Sequence, residues 1–244
     1  MPHKAVAAFF KAVSQFFFPH RCAHCRRDIP RGAADTLCAA CTSALQTPGP
    51  LICQRCGRVL PDGGAHCPAC RGSKAAAYKC KLIRSAFCFT GPARSAVYTL
   101  KYRKHAAAAR FMGAQMAREI RKYPELCAVN CIIPVPLVAR RNKARGFNQS
   151  ELLARELAAH LHLPADSTAL LRVRDTGSQT RLNRADRLQN VRGAFTCTAP
   201  ERIRGKTVLL VDDVCTTGAT LEACATALRA AGAKRVVGFT YARE

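Results

Sequence analysis

The chain has 244 residues, 49% of them hydrophobic, enough to bury an ordinary core, which excludes a disordered tract. Its 39 Lys+Arg against 15 Asp+Glu give a formal charge of +24, a field that concentrates polyanions such as nucleic acid, phosphorylated metabolites or anionic lipid. Arg-rich usage with no polyanion partner is the bland alternative. Eight of the fifteen cysteines lie between Cys22 and Cys70, which favours a small cysteine-rich domain beside a medium-sized one.

The first segment, residues 1–20, contains the apolar stretch Ala5 to Phe18, interrupted by Lys11. It is too short to span a bilayer and is followed by no small-residue cleavage site. It reads as an amphipathic helix packed on the protein, with association to a membrane surface as the rival. With no export signal, a cytoplasmic location is expected, and reduced thiols there hold metal more often than they form disulfides.

Residues 21–72 carry four Cys-x-x-Cys pairs: Cys22/Cys25, Cys38/Cys41, Cys53/Cys56 and Cys67/Cys70. A two-residue gap lets one tight turn aim two sulfurs at one ion, and two such pairs close a tetrahedral structural zinc site. The order of the pairs assigns Cys22, Cys25, Cys38 and Cys41 to one zinc and Cys53, Cys56, Cys67 and Cys70 to a second; a cross-braced arrangement is the alternative. His24 and His66 are expected to face solvent, because each site already has four sulfurs. So small a segment has little core, so metal binding should supply its folding free energy. Cys80, Cys88, Cys127, Cys131, Cys197, Cys215 and Cys224 show no such spacing and read as small buried hydrophobes.

An intervening segment near Arg71 to Ala77 leads to an α/β domain over 78–244. Within it, Cys131 to Leu137 reads as an apolar strand ending in prolines. Arg140, Arg141, Lys143 and Arg145 follow, then Gly146-Phe147-Asn148-Gln149-Ser150 opening a helix. Basic residues ahead of a helix N-terminus suit an anion, and a solvated basic turn explains them equally well. Thr176 to Phe195 reads as a surface loop.

Thr207 to Val211 reads as a buried strand terminated by Asp212 and Asp213. After Val214-Cys215 comes the run Thr216-Thr217-Gly218-Ala219-Thr220, then a helix over Leu221 to Ala231 stopped by Gly232. A loop opening a helix presents unpaired amides and the positive end of the helix dipole, which favour a dianionic phosphate. Thr216, Thr217 and Thr220 add hydroxyls, and Gly218 lets the backbone curl around the anion. Asp212 and Asp213 do not suit a phosphate but accept hydrogen bonds from vicinal ribose hydroxyls. The combination suits a ribose 5-phosphate. Gly205-Lys206-Thr207 looks like the end of a Walker A loop, but no glycine stands five residues earlier and a strand follows, so an ATPase reading loses its support.

The run Val208 to Thr220 resembles the phosphoribosyl pyrophosphate loop of type I phosphoribosyltransferases. Together with Leu100-Lys101-Tyr102, Val135-Pro136-Leu137, Arg145 to Ser150 and the stretch containing Gln179, Arg187, Asn190 and Phe195, it resembles the ComF family from Cys22 almost to the C-terminus. The resemblance implies a type I phosphoribosyltransferase-like fold, a mostly parallel sheet flanked by helices, behind an N-terminal double zinc ribbon. It implies that Asp212 and Asp213 hold the ribose, and that Thr216, Thr217, Gly218, Ala219 and Thr220 hold the 5-phosphate. Pro134, Val135, Pro136 and Leu137 take the place of the pyrophosphate loop, with Arg145, Gly146 and Gln149 lining the same cleft. It implies magnesium on the pyrophosphate, closure of Thr176 to Phe195 over substrate, and a role in natural transformation among proteins that handle incoming single-stranded DNA. No catalytic residue or acceptor base follows from it. An enzyme of pentosyl transfer, a catalytically idle regulator and a nucleic-acid-binding module all stay open. For the last, Tyr78, Phe87, Phe89 and Tyr102 are candidates to stack bases, or else core residues.

Overall fold

The computed structural model describes residues 20–29, 36–71, 78–102, 106–138, 140, 143, 145–175, 186 and 189–244. Apart from His20, the sequence-predicted helix of residues 1–20 lies outside the described residues, as do the segment 71–77 apart from Arg71 and most of the loop over Thr176 to Phe195, including Gln179 and Arg187.

The cysteine-rich segment is built from tight turns closed by single antiparallel bridges. Arg21 pairs with Asp28 around Cys22 and Cys25, and Ile52 pairs with Val59 around Cys53 and Cys56. Within these turns Cys22 N donates to Arg27 O and Cys53 N to Arg58 O, both at 2.8 Å. The second pair of each group is not a hairpin knuckle. Cys38 caps helix α1 (Ala39–Ser43), and Cys67 caps a 3-10 turn over Pro68–Cys70.

The remainder is an α/β unit. In chain order it comprises β1 (Cys80–Cys88), α2 (Gly91–Tyr102), α3 (Ala106–Ile120), β2 (Cys131–Pro134), α4 (Gln149–Leu161), β3 (Leu170–Arg172), β4 (Phe195–Cys197), α5 (Pro200–Ile203), β5 (Thr207–Cys215), α6 (Ala219–Ala230) and β6 (Arg235–Arg243). The main sheet has the order β1-β6-β5-β2 with every pairing parallel. Parallel sheets are covered on both faces, so their strands read as continuous apolar runs, and Val208 to Val211 are all fully buried. Alternation along β5 sends Leu209 and Val211 into the core shared with α2, α3 and α4, and Val208 and Leu210 into the core shared with α6.

The expected strand ends at the acid pair; the observed β5 runs on to Cys215, with Asp212 aligned to Thr240 and Cys215 to Arg243 of β6. Two carboxylates do not stop this strand because its backbone stays paired on the β6 side, while the side chains find a hydroxyl and an ammonium group. The following helix starts at Ala219, two residues earlier than the apolar spacing suggests.

The ribbon rests on the outer edge of β1. Ile83 N donates to Arg55 O and Cys88 N to Gln46 O, both at 2.7 Å. Gly57, at φ +69°, sits so close that a Cβ there would lie 2.7 Å from the Ile83 carbonyl oxygen. Only glycine permits that approach. Among the described residues, no helix is long and apolar enough to cross a membrane.

Candidate functional site

The ligand crevice of an open parallel sheet forms beyond the carboxyl ends of its strands. There the structure brings together the ends of β2 and β5, the N-termini of α4 and α6, and the end of α2. Pro134 aligns with Val211, and Val135 N donates to Val211 O at 2.9 Å, so the stretch Pro134 to Leu137 leaves the sheet directly beside the acid pair. Asn148 caps α4 by accepting from Ser150 N at 3.1 Å, and its amide donates to Val135 O at 3.1 Å. The Arg-Gly-Phe-Asn-Gln-Ser run thus pins the start of a helix to the end of a strand. Arg145 Nη1 donates to Gln149 Oε1 at 2.6 Å, which places Arg145, Gly146 and Gln149 on one turn.

Asp212 and Asp213 are held by different elements. Asp212 Oδ1 accepts from Ser150 Oγ at 2.7 Å and from Asp213 N at 2.9 Å. Burial, reinforced by the Asp213 charge, pushes the Asp212 carboxyl up to about 7 against the opposing Ser150 hydrogen bond. Asp213 has a side chain only 6% exposed, and Lys101 Nζ of α2 lies 3.0 Å from its Oδ2. This is an ion pair rather than a directed hydrogen bond, since that oxygen has no aligned donor.

The loop Thr216 to Gly218 is half-buried, as is Thr220. Gly218 has φ +81°, the left-handed region, and immediately precedes α6. Thr217 Oγ1 accepts from Ala219 N at 3.3 Å. The first turn-closing bond of α6 runs from Glu222 N to Gly218 O at 2.9 Å, so the amides of Thr220 and Leu221 lie ahead of any intrahelical partner. Ala219 and Thr220 belong to the helix itself.

Residues assigned no role from sequence also shape this place. Lys101 and Ser150 stand in quoted runs, but only the fold shows that each meets one of the two aspartates. Arg243, at the far end of the chain, donates to Thr216 O at 3.3 Å and Cys215 Sγ at 3.0 Å. Burial pushes the Cys80, Cys131, Cys215 and Cys224 thiols up, in keeping with small buried hydrophobes. Cys127 departs from that expectation and is exposed. A cavity of about 770 Å³ lined by Lys81, Asn130, Thr207, Lys234 and Arg235, among others, opens at the opposite, amino ends of the strands. None of the sequence-nominated site residues lies there, and the crevice rule favours the other end.

The eight ribbon cysteines gather in sequence order into two groups, Cys22/Cys25/Cys38/Cys41 and Cys53/Cys56/Cys67/Cys70, with the sulfurs of each group within 4.8 Å of one another. The cross-braced alternative is excluded. Cys25 and Cys38 sulfurs are 3.6 Å apart, and Cys56 and Cys67 sulfurs 3.7 Å. A Zn–S bond of about 2.3 Å sets neighbouring tetrahedral sulfurs about 3.8 Å apart, so both groups fit structural zinc. The hydrogen bond from Cys70 pulls the Cys56 thiol down to about 4 against burial, with the Arg243 charge adding to the pull. Neither His24, exposed and bonded to Ser95 Oγ at 3.1 Å, nor His66 belongs to either group.

Two domain families match the chain: the double zinc ribbon domain over residues 13–71 and the phosphoribosyl transferase domain over 148–241. "DNA utilization protein YhgH" of Shigella flexneri is 33% identical over 89% of this chain and 94% of its own length. The chain belongs to the ComF family. "Competence protein F" of Haemophilus influenzae is 29% identical over 93% of this chain and 98% of its own. Among solved structures, glutamine phosphoribosylpyrophosphate amidotransferase from B. subtilis, complexed with ADP and GMP, is 25% identical over 55% of this chain, with a TM-score of 0.37; this chain covers 26% of that one. In this member of the family, the parallel sheet flanked by helices follows a double zinc ribbon.

Proposed function

We propose that this protein binds a ribose 5-phosphate ligand at the carboxyl ends of β2 and β5, with phosphoribosyl pyrophosphate as its fullest occupant, and that it serves DNA uptake in the cytoplasm beside proteins of that machinery. The observation that carries the proposal is the acid pair set directly before a half-buried, helix-opening Thr-Thr-Gly-Ala-Thr loop. The amides and hydroxyls of Thr216 to Thr220 take the 5-phosphate, and Asp212 with Asp213 takes the vicinal hydroxyls. Two adjacent carboxyl groups offer several acceptor oxygens to a diol. Pro134 to Leu137, Arg145, Gly146 and Gln149 stand where the pyrophosphate end of the ligand would lie. Magnesium on that pyrophosphate would neutralise the leaving group in pentosyl transfer.

The test is calorimetric titration of the zinc-loaded protein with ribose 5-phosphate and with phosphoribosyl pyrophosphate plus magnesium. Both are expected to bind, the second more tightly, and D213N is expected to weaken both with zinc content unchanged. Undiminished binding in D213N, or none in the wild type, refutes the assignment.

One observation favours a second reading, a binding surface for single-stranded DNA. Tyr98 and Tyr102 are 45% and 70% exposed, and their rings stack 6.0 Å apart at 20°. Phe89 continues the row at 6.5 Å, with Arg94 over Tyr98 and Arg145 over Tyr102. Bases stack on such rows while arginines meet the backbone. Phe87 and Tyr78 do not join it: Phe87 is buried against Tyr241, and Tyr78 is capped by Arg55 at 3.3 Å.

A further inference from the structure

Arg243 is only 5% exposed, and among the described residues no carboxylate pairs with it. Its guanidinium instead donates to two sulfurs and a carbonyl: Nη1 to Cys215 Sγ at 3.0 Å, Nη2 to Cys56 Sγ at 3.6 Å and to Thr216 O at 3.3 Å. A buried guanidinium needs a compensating charge. Four thiolates around one zinc ion carry a net charge of about −2, and Cys56 belongs to that set. Arg55 repeats the pattern with the second cluster. Its Nη1 donates to Cys70 Sγ at 3.4 Å, and its Nη2 lies 3.5 Å from Oε2 of Glu222 in the first turn of α6. The first cluster makes no such link: among the described residues none of its thiols accepts from an arginine.

The pinned carbonyl sets the direction of the next amide. A trans peptide points its C=O and N–H in opposite directions, so holding the Thr216 carbonyl toward Arg243 and the cluster turns the Thr217 N–H away from them, to the opposite side of the loop.

We propose that Arg243 is a positioning residue through which the second four-cysteine cluster, and not the first, holds the phosphate loop in shape. The proposal rests on the ligand reading above only for its consequence: a loop so held presents its amides ready-made, and a released one must be ordered by the ligand. The link itself is a property of the zinc-loaded protein without ligand.

The test therefore reads the loop without ligand. Amide hydrogen exchange is followed in the peptide covering Val211 to Glu222 for the wild type, R243Q, R243K and C25S, each with zinc content and far-UV circular dichroism. In R243Q, exchange in this peptide is expected to quicken about tenfold, the scale of one lost charge-assisted hydrogen bond, while zinc stays at the wild-type value. R243K keeps the charge but cannot span both partners, so it too is expected to quicken exchange; it decides the matter if R243Q does not fold. C25S, which opens only the first cluster, is expected to leave the loop unchanged. Wild-type exchange in a folded R243Q or R243K, or equal quickening in C25S, overturns the proposal. A wild type that fails to bind ribose 5-phosphate would remove the functional reading while these exchange results still decide the role of Arg243.

Discussion

Replacing Asp212 by Asn separates what the site needs from what the fold needs. The folded protein holds the Asp212 carboxyl at about 7 against an ordinary 3.8, first through burial and then through the Asp213 charge. A raised acid costs nothing below its unfolded value; its penalty grows as pH climbs between the two values and is complete above the folded one. The full penalty is about 4 kcal/mol, and about half of that has accrued by about pH 5.5. Asparagine is uncharged throughout and still offers Oδ1 to Ser150 and to the Asp213 amide. D212N is therefore expected to be more stable than wild type at about pH 8, by an amount of order 2 to 4 kcal/mol, with the gap narrowing by about 2 kcal/mol at about pH 5.5. Guanidinium titrations of both proteins, zinc-loaded, at a series of pH values measure the difference directly. A difference that stays constant with pH, or D212N less stable at the alkaline end, refutes the reasoning.

G218A moves a side chain into left-handed backbone and brings a Cβ to 3.0 Å from Ile83 Cδ1; it is expected to cost about 1 to 2 kcal/mol in denaturant titration and to weaken ribose 5-phosphate binding more than it weakens folding. Metal analysis is expected to give about two zinc ions per chain, falling to about one in C56S and in C25S; a C56S protein retaining both would remove the second site. Single-stranded oligonucleotide binding, if the stacked row serves it, is expected to fall steeply with added salt and to drop in Y98A/Y102A without loss of ribose 5-phosphate binding; anisotropy at a series of salt concentrations reads both.

What could be read from the chain depended on how local the cause was. The zinc clusters were legible because four pairs at fixed spacing state their chemistry in a few residues, and the fold added only that the second pair of each group begins a helical turn. The loop after β5 was legible for the same reason, since Gly218 and its neighbouring threonines act within one turn. The length of β5 was not. Whether Asp212 and Asp213 end a strand depends on Ser150 and Lys101, brought in by helices some 60 and 110 residues away in sequence. Phe87 in β1 and Phe89 just past its end are two positions apart, yet one fills the core and the other abuts the exposed row. Arg243 had no signal, because its partners come from two stretches of chain far apart in sequence, Cys56 in the ribbon and Cys215-Thr216 at the end of β5.

The seating of the ribbon on β1 has a consequence for how the protein fails. β1 is the outermost strand on its side of the sheet, and Arg55 and Gln46 of the ribbon occupy main-chain donors that it turns outward. Stripping the metal would do more than release a module: it would uncover a row of unclaimed amides flanked by apolar side chains, a surface to which other chains adhere. Metal starvation is then expected to appear as turbidity and insoluble material, with little accumulation of a dissolved, inactive form.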